Sequence, residues 1–264
     1  MKILTGTQHA ELDRYTIENE PIESIELMER AARAITFEIT SRWDKERNVY
    51  VFAGAGNNGG DGLAVARLLV EEGYNVNVHL FNIKGKLSEE CETNRDRLQS
   101  ILDEKRDDGR LVFNEISAGF DFPKITRDDI VIDALFGTGL SNPLTGGFAV
   151  VAKKINSLHA HVVSIDIPSG LMCENNAFTD RSVVIHAEIT LSIQLPKLAF
   201  IMADNEKCVG EWKLLDIGLS EDYIEDAETP YYIVEEGDVK ELRRHRSKFA
   251  HKGSLGHALI VAGS

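Results

Sequence analysis

The sequence predicts an α/β protein with a mostly parallel sheet of about seven or eight strands. Short apolar runs typical of buried strands alternate along the chain with segments of helical periodicity. A glycine-rich turn directly follows the first of these runs, and two helical segments precede it. Together these observations predict a Rossmann-like three-layer α/β/α sandwich, with helices covering both faces of the sheet.

The first predicted elements are two helices. One is expected around Thr7 to Asn19, and the second begins at Ser24. Apolar residues from Leu27 to Ile39 recur at helical spacing in the second segment, which predicts one buried face.

Strands and helices then alternate up to about residue 216. Helices are predicted between the strands at about 60–72, 88–104 and 146–157. The predicted strands are 48–53, 75–81, 111–113, 130–134, 161–166, 187–193 and 212–216. This order implies parallel strands joined by crossover helices.

The predicted domain covers residues 1–220. Beyond it, the acid-rich stretch 221–236 and the basic stretch 240–248 follow neither a helical nor a strand period. Residues 221–250 are therefore expected to form a linker. Residues 251–264 combine a glycine turn with an apolar run, which is interpreted as the first strand of a further, truncated domain.

The composition excludes several classes of function. Of the 264 residues, 43 are acidic and 29 are basic, which gives a net charge of −14. This charge disfavours nucleic-acid binding, which depends on Lys and Arg contacts to phosphate. No apolar run approaches the roughly 20 residues of a membrane helix, and the N-terminus lacks a signal-peptide core. A cytoplasmic protein without a membrane partner is expected, and the three widely spaced cysteines are expected to be free thiols.

The turn after the first predicted strand reads G-A-G-N-N-G-G-D-G at 54–62. Its five glycines would let the backbone approach a ligand, and the next helix would offer its N–H groups to an anion. A tight strand-to-helix turn is the alternative interpretation. Two Asn and one Asp between the glycines favour a binding site.

The same glycines spell G-x-G-x-x-G, which is also the fingerprint of redox dinucleotide sites. That fingerprint requires an acid about 20 residues further on, at the end of the second strand. Here that strand ends His79-Leu80-Phe81-Asn82. A nicotinamide dehydrogenase is therefore disfavoured.

Two further loops follow predicted strands. Asp133 precedes the small-residue loop from Gly137 to Pro143, and Asp166 precedes Pro168-Ser169. Asp133 alone could be a turn or cap residue, whereas an acid such as Asp166 within an apolar strand end is costly without a role. Because parallel strands end at one edge of a sheet, the three loops should converge. The resulting oxygen-rich cluster suits a hard cation or a polyhydroxylated ligand: Asn57, Asn58, Asp61, Asp133, Asp166 and Ser169.

Three ordered motifs resemble the NAD(P)H-hydrate epimerases, the YjeF N-terminal domain family. They are G-A-G-N-N-G-G-D-G-L-A-V-A-R at 54–67, D-A-L-F-G-T-G-L at 133–140 and I-D-I-P-S-G-L at 165–171. E-L-D-R at 11–14 and L-M-E-R-A-A-R-A at 27–34 resemble the family's opening helices. The resemblance covers about residues 1–220.

The resemblance implies the ligands and the residues that bind them. Asn58, Asp133 and Ser169 would hold one K⁺ per subunit, and the chain would form a homodimer. Asp166 would act at the reacting ring of hydrated NADH or NADPH. The residues implied to bind this substrate are Asn57, Asn58, Gly59, Gly60, Asp61, Gly137, Thr138, Gly139, Leu140, Ser141, Asn142, Pro143 and Asp166.

Two further observations concern the C-terminal tail and two stretches that would border the predicted site. H-K-G-S-L-G-H-A-L-I-V-A-G-S at 251–264 is similar to the start of the ADP- or ATP-dependent NAD(P)H-hydrate dehydratase domain, which implies a fused second enzyme. The chain departs from the family pattern at Met172-Cys173-Glu174-Asn175-Asn176 and at Lys197-Leu198-Ala199.

The implied reaction inverts C6 of the hydrated nicotinamide ring, which must become planar by losing its hydroxyl group or by ring opening. Asp166 could protonate the departing oxygen or stabilise the cation. The alternative function is a non-catalytic dimeric ligand-binding scaffold of the same fold. The intact Asp166 and N-N-G-G-D loop disfavour that alternative.

Overall fold

A computed structural model describes residues 1–104, 108–242, 247–251, 253 and 257–263. Within these residues, two helices precede the first strand, as predicted, and helices then alternate with strands. The helices are α1 (Gly6–Asn19), α2 (Ser24–Arg42), α3 (Asn57–Glu71), α4 (Glu89–Asp103), α5 (Gly146–Asn156), α6 (Glu206–Val209), α7 (Glu221–Asp226) and α8 (Glu236–Leu242). The strands are β1 (Asn48–Ala53), β2 (Asn75–Phe81), β3 (Leu111–Ile116), β4 (Ile130–Ala134), β5 (His161–Ile165), β6 (Ile189–Ile193) and β7 (Glu211–Leu215).

In the described part of the chain, the seven strands form one parallel sheet in the order β3-β2-β1-β4-β5-β6-β7. Val51 of β1 is in register with Val78 of β2 on one side and with Ile132 of β4 on the other. Strands β2 and β3 thus lie on one side of β1, and strands β4 to β7 lie on its other side. The boundary between β1 and β4 is a topological switch point, where open α/β sheets bind ligands.

The residues of β1 show how both faces of the sheet are covered. Val49 and Val51 belong to the apolar core formed with α2, α3 and α4. Phe52 points to the opposite face and packs in a second core that includes Val151 and Ile155 of α5. This alternation is that of a strand buried on both faces, and it confirms the predicted three-layer sandwich.

Helix α3 and strand β3 are longer than predicted. Helix α3 begins at Asn57 rather than near residue 60, so three of the five glycines lie inside the helix. Strand β3 continues to Ile116 through Asn114 and Glu115. The strand can include these two polar residues because β3 is at the edge of the sheet.

The compact unit runs from Lys2 to Tyr231, past the boundary expected near residue 220. Helix α7 occupies the first six residues of the expected linker. The Tyr223 hydroxyl of α7 donates to the Glu11 carboxylate of α1 at 2.8 Å, and the Ile3 amide donates to the Tyr231 carbonyl at 3.0 Å. A helix this short carries too little periodicity to be seen in the sequence.

A second unit comprises Met1 and residues 232–264. It contains helix α8, and the Met1 amino group donates to the Ile233 carbonyl at 2.9 Å. The described tail residues 257–263 are neither helix nor strand, and Leu259 and Ile260 are exposed, so the strand predicted there is not formed in these residues. The rest of that predicted strand and turn, at 252, 254–256 and 264, lies outside the described residues, as do residues 243–246 of the basic stretch.

None of the described helices combines the length and the apolar character needed to cross a bilayer.

Candidate functional site

The loops that follow β1, β4 and β5 meet at one edge of the sheet. The Gly54 amide donates to the Ala134 carbonyl at 2.9 Å, which joins the loop after β1 to the last residue of β4. The Phe136 amide donates to the Ser169 hydroxyl at 2.9 Å, which joins the loop after β4 to the loop after β5. The predicted convergence is therefore present in the structure.

The glycines of the first loop serve packing more than ligand access. A Cβ atom on Gly54 would lie 1.9 Å from the Leu135 carbonyl oxygen, and one on Gly62 would lie 2.5 Å from the Ala134 Cβ. Gly59 and Gly60 are equally confined, by the Gly54 backbone and by the Met28 side chain. These four glycines bring α3 close to the sheet and to α2, so packing alone requires a residue without a side chain at each position.

The remaining glycine of this loop, Gly56, faces open space, because no atom lies within 4 Å of the position that a Cβ would take. It is the N-cap of α3 and supplies no capping side chain. The first N–H groups of a helix have no partner within the helix, so those of Asn57, Asn58 and Gly59 point beyond its N-terminus. The start of α3 thus retains the anion-binding character that the sequence predicts.

Asn58 has an unusual environment. Its side chain is 9% exposed, yet neither its Oδ1 nor its Nδ2 has a hydrogen-bond partner among the described residues. It lies against Gly137, where a Cβ atom would be 3.1 Å from the Asn58 Cβ. Buried amides are nearly always hydrogen-bonded in proteins, so this one is a candidate ligand contact. Its neighbour Asn57 is exposed.

Asp133 is fully buried and forms the centre of the junction. One carboxylate oxygen accepts from the Ser164 hydroxyl and the Ser169 amide, both at 2.8 Å. The other accepts from the Ser169 hydroxyl at 2.5 Å and the Leu135 amide at 3.3 Å. Burial raises the pKa of Asp133 above its ordinary value, although the bonds from Ser169 and Ser164 oppose the rise. Asp133 and Ser169 together fix the loops after β4 and β5.

Asp166 follows β5 in a strained conformation. Its φ is +65°, in the left-handed region that side-chain-bearing residues seldom adopt. Its amide donates to the Leu191 carbonyl at 2.8 Å, and its Oδ1 accepts from the Ile193 amide at 3.2 Å. Strain of this kind persists where the surroundings enforce it, and it is frequent at functional sites.

Lys197 is the main site residue that sequence reasoning missed. Its side chain is fully buried, and its ammonium group donates to Asp166 Oδ1, to the Ser192 hydroxyl at 2.8 Å and to the Leu195 carbonyl at 3.2 Å. A buried Lys needs a carboxylate and further acceptors, and Lys197 has both. The available signal was a single Lys within the apolar run L-P-K-L-A-F at 195–200.

Three more titratable groups are coupled electrostatically to this pair. Burial, and then the negative charge of Asp166, raise the pKa of Asp61 well above its ordinary value. Desolvation by the surrounding protein, and then the negative charge of Asp166, raise the pKa of Asp13 of α1 to about 6, although Asp13 is exposed to solvent. Burial and the charge of Lys197 lower the pKa of His9 to about 3. His9 and Asp13 were not predicted.

The loop at 137–143 forms part of the rim. Gly137, Thr138 and Leu140 are partly buried, and the Leu140 amide donates to the Gly137 carbonyl at 3.1 Å. The exposed members of the loop are Gly139, Ser141, Asn142 and Pro143. The divergent stretch at 172–176 completes the rim, since Glu174 accepts from the Gly6 amide of α1 at 2.5 Å.

The donor set at this edge consists of oxygen atoms. No group of three His, Cys, Asp or Glu side chains within the described ranges could hold a metal ion. The three cysteines are buried free thiols. Asn58, Asp133 and Ser169 offer only amide, carboxylate and hydroxyl oxygens as ligands, which suits a hard cation rather than a soft metal.

Comparison with known proteins is consistent with this arrangement. A bifunctional NAD(P)H-hydrate repair enzyme Nnr of Thermofilum pendens is 33% identical over 270 residues, covering 100% of this chain and 48% of that protein. An NAD(P)H-hydrate epimerase of Limosilactobacillus fermentum is 33% identical over 208 residues, covering 78% of this chain and 92% of that protein. The chain therefore spans about half the length of the bifunctional relatives.

A crystal structure of the yeast protein ynu0 has the same fold, with a TM-score of 0.64 at 22% identity over 81% of this chain and 87% of that one. The family model described as YjeF-related protein N-terminus matches residues 24–199, which include α3, the loop at 137–143, Asp166 and Lys197. The chain belongs to the YjeF-related N-terminal domain family.

Proposed function

We propose that this domain is an isomerase that interconverts the R and S forms of hydrated NADH and hydrated NADPH at C6 of the nicotinamide ring. This metabolite-repair step would supply the S form to a dehydratase. The proposal is carried by Asp166, a strained carboxylate held by the buried Lys197 at the edge where the loops after β1, β4 and β5 meet. The names of the relatives support the same substrate and reaction.

The proposed role of Asp166 is to stabilise positive charge. Its Oδ1 accepts hydrogen bonds from the Lys197 ammonium group and the Ile193 amide, which together fix the position of the carboxylate. When the C6 hydroxyl leaves, the electron pair of the ring nitrogen forms a planar iminium ion. A fixed carboxylate beside that cation lowers the barrier, and water can then add to either face.

The N-terminus of α3 is proposed to bind the phosphates. The orphan N–H groups of Asn57, Asn58 and Gly59 and the dipole of a 15-residue helix favour an anion there. Backbone donors would also allow a chain of net charge −14 to bind an anionic substrate. The remaining proposed contacts are Gly60, Asp61, Gly137, Thr138, Gly139, Leu140, Ser141, Asn142 and Pro143.

We also propose one K⁺ per subunit, held by Asn58, Asp133 and Ser169. The residues fit the ion, because the Asn58 amide is buried without a partner in the described structure and the neighbouring donors are all oxygens. When bound, K⁺ would offset phosphate charge and tie the loops together.

Two statements about assembly are proposals of the same kind. A homodimer is proposed from the family resemblance. A fused dehydratase domain is supported by coverage, since the matches to bifunctional relatives extend over 97–100% of this chain and the match to the Limosilactobacillus fermentum epimerase over 78%.

The experiment is to supply the R epimer of hydrated NADH to the purified protein, with KCl or with NaCl, and to follow the R to S ratio by chromatography. We expect relaxation to the equilibrium ratio much faster than in buffer, and faster with K⁺. A ratio that relaxes at the buffer rate in both salts would show that the proposed activity is absent.

A further inference from the structure

Helix α1 lies across the carboxyl ends of several strands, and both of its ends are fixed. At its N-terminus the Gly6 amide donates to Glu174, and a Cβ atom on Gly6 would lie 3.0 Å from the Thr138 carbonyl oxygen. Near its C-terminus the Thr16 hydroxyl accepts from the Ser220 amide at 3.0 Å. Glu174 and Thr138 follow β5 and β4, and Ser220 follows β7, so α1 passes over the edge where Asp166 lies.

The buried face of α1 includes His9, Leu12 and Thr16. His9 is 7% exposed, and its Nε2 has no hydrogen-bond partner among the described residues. Its pKa of about 3 leaves the imidazole neutral at physiological pH, and the charges of Lys197 and Asp166 both act on it. A neutral, buried ring nitrogen without a partner beside a charged pair is a polar group that a ligand can satisfy.

Asp13 is one turn after His9 and therefore shares its side of the helix. Unlike His9, it is exposed, so solvent or a ligand can reach it. The charged groups that act on it are Asp166, after β5, and Lys197, after β6, and Asp13 in turn acts on Asp61 of α3. Glu90 of α4 is a further negative charge that acts on Asp61.

We propose that Asp13 is a second catalytic residue of this site, the group that exchanges a proton with the C6 hydroxyl of the hydrated ring. This inference rests on the proposed epimerase function and deepens it. The Asp13 carboxyl group donates its proton to the hydroxyl oxygen, the C6–O bond breaks, and water leaves with the bonding electron pair. The nitrogen lone pair forms the C6–N double bond. Water then adds to either face of C6 and returns a proton to the Asp13 carboxylate.

In this step the two carboxyl groups have different roles. Lys197 holds the Asp166 carboxylate in place to stabilise the cation, while Asp13 has no cation as a direct partner in the described structure and can change its protonation state. A pKa of about 6 gives Asp13 both forms near neutral pH, which suits a group that must donate a proton and take one back.

The test compares Asp13→Asn and Asp13→Glu with the parent protein in the epimerisation assay, across pH 5 to 9. We expect Asp13→Asn to lower kcat by about 100-fold or more with little change in KM, as for the loss of an acid–base group. The parent kcat/KM should fall as the pH rises through about 6, because the donating form is lost, and this dependence should vanish in Asp13→Asn. Asp13→Glu should restore part of kcat and the pH dependence.

Glu18→Gln is the matched control, since it removes one exposed carboxylate from the same helix. It should keep the parent kcat and pH profile. Thermal unfolding of every variant shows whether folding is intact. If the parent is active and Asp13→Asn retains its rate and pH profile, the inference about Asp13 is wrong while the proposed function stands. If the parent itself is inactive, both are wrong.

Discussion

The carbonyl oxygen of Gly54 occupies the position where a side chain on Gly59 would begin, since a Cβ atom on Gly59 would lie 1.8 Å from it. The oxygen belongs to the backbone and the Cβ position is fixed by the backbone of Gly59, so the clash cannot be relieved without displacing the end of β1 or α3. The first turn of α3 therefore packs against the end of β1 at a distance that only glycine allows. This contact fixes the helix N-terminus that is proposed to bind phosphate.

Gly59→Ala should destabilise the fold strongly. Forcing a methyl group into backbone costs about 3 kcal/mol or more of the free energy of unfolding, which urea denaturation measures. Gly56→Ala is the matched control, because nothing lies within 4 Å of its Cβ position. It should cost about 1 kcal/mol, the effect of alanine at an N-cap. Equal losses in the two variants would mean that the clash is not the cause.

Lys197→Met should also be strongly destabilising. Removing the ammonium group leaves the carboxylate of Asp166, whose side chain is only 13% exposed, without its cation. Breaking a buried ion pair in this way costs about 3–5 kcal/mol. Lys213→Met removes a cation from Glu38, whose side chain is 8% exposed, but Arg42 remains as a second cation with its Nε 3.9 Å from that carboxylate. Because Lys213 is itself 47% exposed, the loss should be below about 1 kcal/mol. Urea denaturation of both variants at pH 7 checks the contrast.

A second substitution distinguishes an ion-pair effect from a packing effect at the same site. Adding Asp166→Leu to Lys197→Met removes the isolated carboxylate and should recover part of the lost stability. A double variant that is less stable than Lys197→Met would contradict the electrostatic explanation.

Burial of the His79 side chain should make the folded protein less stable in acid. It is buried on β2 between Phe52 and Phe120, with ring centroids 5.3 Å and 5.2 Å away, and burial lowers its pKa from 6.5 to about 4. Because the folded-state pKa is the lower one, the unfolded chain binds more protons between these values. Stability therefore falls as the pH drops from about 6.5 to about 4, by roughly 3 kcal/mol from this residue.

The check is to measure unfolding in urea at pH 7 and pH 5 for the parent and for His79→Phe. The variant should lose less stability in acid, since it has no ring nitrogen to protonate. His159→Gln changes an exposed histidine and should behave like the parent. His79→Phe will still lose some stability in acid, because burial also lowers the pKa of His9, to about 3. If His79→Phe and the parent lose the same stability between pH 7 and pH 5, protonation of His79 is not a cause of the loss.

Potassium should stabilise the folded protein in the absence of substrate. An ion that binds only the native state raises the melting temperature with its concentration. KCl should therefore raise the melting temperature more than the same concentration of NaCl does. Asn58→Ala should abolish this difference between the two salts. Asn57→Ala, which changes the exposed neighbour, should keep it. No difference between the two salts in the parent would contradict the proposed ion site.

The sheet was predictable where strands are buried on both faces. The predicted bounds 48–53, 75–81 and 130–134 are those of β1, β2 and β4, because continuous apolar runs mark such strands without reference to the rest of the fold. The edge strand β3 was predicted too short, since its polar residues conceal its end. Helix α7 was missed because six residues give no period.

The candidate site was only partly predictable, for a different reason. Asp133 and Asp166 are visible in the sequence because they interrupt apolar runs at the ends of strands. Lys197 is 31 residues from its carboxylate partner, so nothing local to either residue indicates the ion pair. His9 and Asp13 were missed likewise, because only the packing of α1 over the sheet edge brings their charges close to Asp166.

The outward order of the strands has a consequence for the chain as it leaves the ribosome. Asp166 emerges with β5, before β6 and the buried lysine that follows it have been synthesised. During that interval the carboxylate has water instead of an ammonium group as its neighbour, and its strained backbone has no strand β6 to hold it. The Asp166–Lys197 pair therefore forms only in a late step of biosynthesis, when the β6 segment docks.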